Sequence, residues 1–153
     1  MDAVNLLKKQ HREVEGLFKK VEKAKAPEMR RQLMQEISAK LEMHTKIEEE
    51  IFYPAVREIE SKKAEEMINE AFEEHGVVKL VLKQLPSVDP EDERFEAKMT
   101  VLQELVEHHV EEEEKEMFKL AQKLGKAELR SLGEQMAGMM PAEAQPKARR
   151  RAA

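Results

Sequence analysis

Apolar residues recur every three or four positions along most of this chain, which is the pattern of helices that bury one face. Four long stretches show the pattern and a shorter one follows, over residues 2–25, 27–60, 61–85, 90–123 and 127–139. Asp2, Ser61 and Asp89 are typical N-caps, Pro90 suits a first turn, and Gly125 is a typical helix stop. Because the connections are short, the pattern predicts an all-α protein: an up-down-up-down four-helix bundle with a short C-terminal fifth helix.

Ionisable residues interrupt the apolar stripe of each long helix. They are His11 in the first helix, His44 and Glu48 in the second, His75 in the third, and His109 and Glu113 in the fourth. Counted from the connections, the first three helices bring these residues to the same level of an antiparallel bundle, within about one turn. The fourth helix fits only if it overhangs the third or has irregular first turns.

A metal site is the explanation that accounts for all six interruptions. An uncompensated ionisable group in an apolar core costs several kcal/mol. One histidine in one helix is most simply a core residue with an ordinary hydrogen-bond partner, but four helices with two carboxylates need more than that. Nitrogen and oxygen donors without sulfur favour iron, manganese or zinc. Six protein ligands suit two ions, each with two histidines and with both glutamates bridging, and leave positions open for a small molecule.

Neighbouring residues are candidates for a supporting role. His108 and Glu112 form a second His-x-x-x-Glu pair, but their stripe continues into lysines, so we expect it to face outward. Glu15 shares its side of the first helix with charged residues, so we expect it to face solvent or to support a ligand indirectly. Tyr53 lies on another side of its helix than the histidine, which favours ordinary packing unless the kink expected at Pro54 reorients it.

Composition and charge agree with a helical protein and narrow its partners. Charged residues make up 39% of the chain and aromatic residues 4%, a composition that favours helices over strands. The net charge of −5 gives no reason to expect a nucleic-acid partner. No apolar run approaches the length of about 20 residues that spans a membrane. Lysines interrupt the first apolar segment, which argues against a signal peptide, and the absence of cysteine is compatible with the cytoplasmic location that we predict.

The composition changes at Pro141, where prolines, alanines and basic residues replace the helical pattern. We therefore assign residues 1–125 to the bundle, 126–140 to an accessory helix and 141–153 to a basic, disordered tail. A short basic terminus is usually just solvated. The alternative is a patch that binds an anionic partner.

The motifs around the histidines resemble those of the hemerythrin-like proteins with an HHE cation-binding domain. The similarity covers roughly residues 1–123, and the matching segments are His11, the run 44–54 (HTKIEEEIFYP), Glu74-His75, and the run 109–114 (HVEEEE) followed by Met117-Phe118. Ferritin-like bundles use Glu-x-x-His pairs instead, and no histidine here has a glutamate three residues before it.

The resemblance implies a non-haem di-iron centre, with two iron ions and a bridging oxo or hydroxo group. Its ligands would be His11, His44, His75 and His109, with Glu48 and Glu113 bridging. Oxygen-carrying hemerythrins have a fifth histidine one turn after the one matched by His75, where this chain has Lys79. The resemblance therefore favours sensing of oxygen, or a weak oxidoreductase reaction with hydrogen peroxide or nitric oxide, over reversible oxygen storage.

Two other functions stay open at this point. The first is an iron-responsive interaction module, in which metal binding orders the bundle and a protein partner of unknown identity reads the folded surface. The methionines near the end of the fifth helix and the basic tail are its candidate contacts. The second is a purely structural zinc bundle.

Overall fold

The computed structural model describes residues 1–146, and these form a helical bundle whose second and fourth members are each interrupted by a π-helical turn. The α-helices are α1 (Ala3–Lys23), α2 (Pro27–Ile47), α3 (Tyr53–Arg57), α4 (Lys62–Gln84), α5 (Glu93–Glu112), α6 (Phe118–Ala121) and α7 (Lys126–Gly138). The π turns, Glu48–Phe52 and Glu113–Met117, join α2 to α3 and α5 to α6. The all-α bundle with a short fifth helix, α7, is confirmed.

Several helix ends are those that the sequence predicts. The Asp2 side chain accepts a hydrogen bond from the Asn5 N–H at 2.8 Å and caps α1. Ser61 caps α4 in the same way. Gly125 has a φ of 89°, which favours glycine, and it separates α6 and its last 3-10 turn from α7.

The helix α5 begins a few residues later than predicted. The side chain of Asp89 accepts a hydrogen bond from the Glu91 N–H, and its carbonyl accepts one from the Asp92 N–H, so Asp89 closes a turn instead of capping the helix. The cap is Asp92, whose side chain accepts from the Arg94 N–H at 2.9 Å. The later start shortens the stretch of helix before His109, which reduces the mismatch in level with His75 by about one turn.

Each π turn begins at one of the two glutamates that interrupt the apolar stripes. The carbonyl of Glu48 accepts a hydrogen bond from the Tyr53 N–H, five residues on, and the carbonyl of Glu113 accepts one from the Phe118 N–H. The first of these turns ends at Phe52, two residues before Pro54, which has no N–H to donate, so the kink expected at Pro54 coincides with a π turn. One extra residue in a turn rotates everything after it by about 100°.

A buried polar layer divides the interior of the bundle into two hydrophobic cores. One core includes Leu6, Ile47, Phe52, Ile68 and Leu129, and it involves α7. The other includes Phe18, Ile37, Leu82, Phe95 and Leu102. The histidines and glutamates of the four stripes lie between these cores, so apolar packing holds their helices from both sides.

Helix α7 covers the end of the bundle where the chain starts. Gly133 faces the backbone of Met1 to Ala3, and a Cβ at this position would overlap the Met1 carbonyl oxygen. Within residues 1–146, no helix is long and apolar enough to cross a membrane. Residues 142–144 form a 3-10 turn, and the rest of the predicted tail, from residue 147, lies outside the described residues.

Candidate metal centre

The six side chains that interrupt the apolar stripes lie together in the polar layer, and all are buried. They form two clusters, each with two histidines and one glutamate, and within each cluster the potential ligand atoms lie within 4.8 Å of one another. The first cluster consists of His11, His44 and Glu113, and the second cluster consists of Glu48, His75 and His109.

Each glutamate contacts histidines of both clusters. Glu48 Oε1 lies 2.9 Å from His44 Nε2 and 3.3 Å from His75 Nε2. Glu113 Oε1 lies 3.1 Å from His11 Nε2, and its Oε2 lies 3.1 Å from His109 Nε2. Each of the two carboxylates is therefore placed between the histidines of the two clusters.

The donor atoms of the two clusters fit metal ions better than they fit each other. Despite the short distances, Nε2 of His11 and of His44, both oxygens of Glu48 and Oε1 of Glu113 have no well-oriented hydrogen-bond partner in residues 1–146. Unsatisfied buried polar atoms are costly, about 1–3 kcal/mol each. In addition, Nε2 of His75 and of His109 face each other at 3.2 Å, so one must carry a proton or both must share a cation. Cations placed among these lone pairs satisfy all of them.

The histidines of the first cluster are held from behind by one carboxylate and one amide. Nδ1 of His11 lies 2.9 Å from Glu114 Oε2, and Nδ1 of His44 lies 2.7 Å from Gln10 Oε1. Because both partners accept, each Nδ1 donates its proton outward and each Nε2 is left free for a metal. The sequence pattern does not indicate this role for Gln10 or Glu114, since neither lies in an apolar stripe.

The histidines of the second cluster are backed by carboxylates only. Nδ1 of His109 donates to Glu74 Oε1 at 2.9 Å. Nδ1 of His75 lies 3.4 Å from Glu49 Oε2 without a well-oriented hydrogen bond, and the charge of Glu49 is paired with Lys79 Nζ at 2.9 Å. Lys79 is exposed, and therefore supports a histidine through Glu49 and does not enter the centre.

Tyr53 belongs to the centre, where the sequence favoured ordinary packing. Its side chain is fully buried, and its hydroxyl donates to Glu113 Oε2 at 2.8 Å. The Tyr53 hydroxyl oxygen also lies 3.2 Å from His75 Nε2 and 3.4 Å from His109 Nε2. The π turn that precedes Tyr53 is the reason, because the extra residue rotates the side chain toward the face of the histidines.

The charges of the centre change the pKa values of its members in the metal-free protein. Burial alone would lower the pKa of His109, but the charge of Glu113 and hydrogen bonds to nearby carboxylates outweigh it and raise that pKa well above its ordinary value. The pKa of Glu48 is well below its usual range, because the charge of His44 and the surrounding hydrogen bonds outweigh burial. Burial, together with the charges of Glu113 and Glu48, raises the pKa of Tyr53, so its hydroxyl keeps its proton. Metal binding must therefore displace protons from histidine.

A comparison with protein-family models finds the hemerythrin HHE cation-binding domain over residues 2–121. The chain belongs to this family. This match confirms the resemblance that the histidine motifs predict. It also indicates the general function of the family, which is metal binding.

Among relatives of this HHE protein, an uncharacterized protein of Mycobacterium tuberculosis is 30% identical over 140 residues, covering 90% of this chain and 84% of the relative. A DNA nickase of a Nostoc species is 27% identical over 118 residues, or 77% of this chain and 33% of the relative, so the chain spans about a third of that protein. The crystal structure of an HHE domain-containing protein from Mycobacterium kansasii is 30% identical, with a TM-score of 0.78 and coverage of 90% of this chain and 84% of that one.

The remaining candidates of the sequence lie outside the two clusters of the HHE domain. Glu15 is exposed and lies 3.5 Å from Lys19 in an ion pair on the same helix. The side chain of His108 is 63% exposed, and its Nε2 lies 3.2 Å from Glu112 Oε1. The outward direction expected for this His-x-x-x-Glu pair is therefore what the structure shows.

A small apolar cavity lies beside the four histidines. It has a volume of about 20 Å³, and its other walls are mainly aliphatic, with Val14, Leu41, Val78, Val106 and Val110 among them. A cavity of this size holds one molecule as small as water. The HHE protein thus has an apolar cavity for a very small molecule next to its potential metal ligands.

Proposed function

We propose that this protein holds two non-haem iron ions between its two clusters and uses them to bind or react with a small molecule: oxygen, hydrogen peroxide or nitric oxide. The observation that carries the proposal is the pair of glutamates shared by both clusters beside the small apolar cavity. Oxygen and nitrogen donors suit iron, and shared carboxylates suit two ions in contact.

The side chains of the centre divide the work in this proposal. The four histidines hold the ions through Nε2, and their outer partners fix the ring orientation. The two glutamates offset part of the positive charge, which makes burial of the ions tolerable. The aliphatic walls exclude water, and the Tyr53 hydroxyl holds a proton directed at Glu113 Oε2. Bound iron would supply the redox-active, electrophilic chemistry.

Peroxide or nitric oxide suits the site better than reversible oxygen storage. The residue at the carriers' fifth histidine position is Lys79, which is exposed and pairs with Glu49. That leaves more of one iron open to a reactant, so we expect the reduced protein to oxidise in air and the oxidised protein to consume hydrogen peroxide slowly. This would make the protein a weak oxidoreductase.

Metal analysis after anaerobic iron loading tests the proposal. We expect about two irons per chain and near-ultraviolet absorption that appears on exposure to air. At most one tightly held metal would contradict the di-iron centre, and a colourless protein that retains zinc would favour a structural bundle. Repeated oxygenation and full recovery under argon would instead make the protein an oxygen carrier.

One contact favours the alternative of an iron-responsive module. The Gln10 amide, which accepts from His44, also lies 3.7 Å from the sulfur of Met140 through its Nε2. The end of the fifth helix therefore reaches the centre through two side chains. If a partner protein binds this region, hydrogen exchange in residues 136–146 should slow on metal loading. A pull-down should then retain the partner with the metal-loaded protein and not with the metal-free protein.

A further inference from the structure

A third group of metal-ligating side chains lies at the surface beside the second cluster. His108 Nε2 lies 3.2 Å from Glu112 Oε1 and 3.5 Å from Glu74 Oε2, and the three potential ligand atoms lie within 4.8 Å of one another. His108 and Glu112 are one turn apart on α5, and Glu74 faces them from α4. We call these three residues the outer cluster. An imidazole and two carboxylates from two helices are a ligand set for a divalent cation, with room left for water.

Acidic side chains dominate the surroundings of the outer cluster. Within residues 1–146, no lysine or arginine lies within 4.0 Å of the carboxylates of Glu70, Glu74 or Glu112, and the ion pair of Glu116 with Lys63 is a long and exposed one at 3.9 Å. A cation bound between Glu74 and Glu112 would reduce the repulsion between the two carboxylates.

Glu74 connects the outer cluster with the buried centre. Its Oε2 faces His108, while its Oε1 accepts the hydrogen bond from Nδ1 of His109. A pocket of about 20 Å³ lies in the same place, and Glu74 and Glu112 of the outer cluster line it together with His109 and Glu113 of the centre. The pocket therefore adjoins the outer cluster and both clusters of the centre, and most of its polar walls are carboxylates.

We propose that Glu74, His108 and Glu112 form a surface site for a divalent metal cation, which captures the ion in hydrated form and passes it through this pocket to the buried centre. Ferrous iron is the cation that fits the rest of the protein. Binding at the outer cluster depends on these three residues alone. Transfer rests on the proposed function, because it needs a centre that holds metal. With three partly exposed protein ligands, the outer cluster binds weakly and releases its ion.

Anaerobic loading kinetics test the transfer. Metal-free protein is mixed with ferrous iron, and metal content is measured over time for the wild type, His108→Ala, Glu112→Gln and the control Glu104→Gln, which replaces an exposed glutamate of the same helix. We expect both outer-cluster variants to load about tenfold more slowly, in the range that outer partners of metal sites typically affect, and to reach the same final content as the wild type. Equal rates in all four proteins would overturn the proposal.

Direct binding is tested in a protein whose buried centre is disabled. In the variant Glu48→Ala, manganese(II) followed by electron paramagnetic resonance should show one weakly bound ion, which the double variant with His108→Ala loses. No weakly bound manganese in Glu48→Ala would overturn the outer cluster. A wild type that never holds two irons would contradict the proposed function instead, while loss of weak manganese with His108→Ala would still support the outer cluster.

Discussion

The two clusters of the centre present the same ligand types, yet they differ in what stands behind the ligands. In the first cluster, one outer partner is the carboxylate of Glu114 and the other is the neutral amide of Gln10. In the second cluster, the outer partners are the carboxylates Glu49 and Glu74, and the Tyr53 hydroxyl lies against both histidines. An outer carboxylate makes a histidine a stronger donor than an amide does. Two ions bound here are therefore expected to be inequivalent, with the second cluster binding its ion more tightly.

The two clusters also differ in how they are reached from the protein surface. A surface groove of about 420 Å³ reaches His11 of the first cluster, with Glu15, Val110 and Glu114 along its walls. The second cluster is approached through the acidic pocket beside Glu74. Both routes have acidic walls, but the groove is much wider than the pocket, so we expect the less tightly held ion of the first cluster to be the one that reactants reach.

The largest effect should come from removing a residue that both clusters share. Glu48→Ala takes away the carboxylate between His44 and His75, so one histidine of each cluster loses its glutamate contact. We expect tightly bound metal to fall from about two ions per chain to fewer than one, as measured by elemental analysis. Glu50→Ala, an exposed glutamate in the same π turn, is the control and should keep two. Retention of two ions by Glu48→Ala would refute the sharing of the two clusters.

Removing one histidine should remove the metal ion of one cluster and leave the ion of the other. His109→Ala is expected to lose the ion of the second cluster and keep the one of the first, and His44→Ala should do the reverse. His108→Ala should keep both ions once loading is complete, since its side chain is exposed. Loss of tightly bound metal in His108→Ala but not in His109→Ala would show that the register of α5 is wrong by one residue.

The sequence predicts the six residues of the clusters because they break an apolar stripe, which is a local signal. It does not predict their outer partners. Gln10 and Glu74 lie one residue before a cluster histidine, where polar residues are ordinary, and only the packing of neighbouring helices gives them a role. Tyr53 was missed for another reason: periodicity assumes a constant turn, and the π turn changes the phase by one residue. The start of α5 was misplaced because Asp89 and Asp92 are both good caps.

A smaller change should make the two clusters more alike. Gln10→Glu places a carboxylate behind His44, as in the second cluster, and we expect it to slow release of the first cluster's ion to a chelator by about tenfold. Gln10→Ala should speed that release by a similar factor. The release rate of the second ion serves as the internal control. If both ions respond equally to Gln10→Glu, the amide does not cause the difference between the clusters.

The smallest effect should come from Tyr53→Phe, which keeps the buried ring and removes only the hydroxyl. In the metal-free protein, the lost hydrogen bond to Glu113 should lower the free energy of unfolding by about 1 kcal/mol, measured by urea denaturation.

With cobalt(II) as a visible probe, the effect of the lost hydroxyl on the bound metal can be assigned to a cluster. In the His44→Ala background the remaining ion lies in the second cluster, so Tyr53→Phe should alter its spectrum. In the His109→Ala background the ion lies in the first cluster, whose Glu113 loses the same hydrogen bond, so a smaller change is expected there, without loss of a contact to the ring nitrogens. A change in the His109→Ala background as large as that in the His44→Ala background would mean that the hydroxyl does not distinguish the clusters, and the asymmetry would then rest on the outer partners of the histidines.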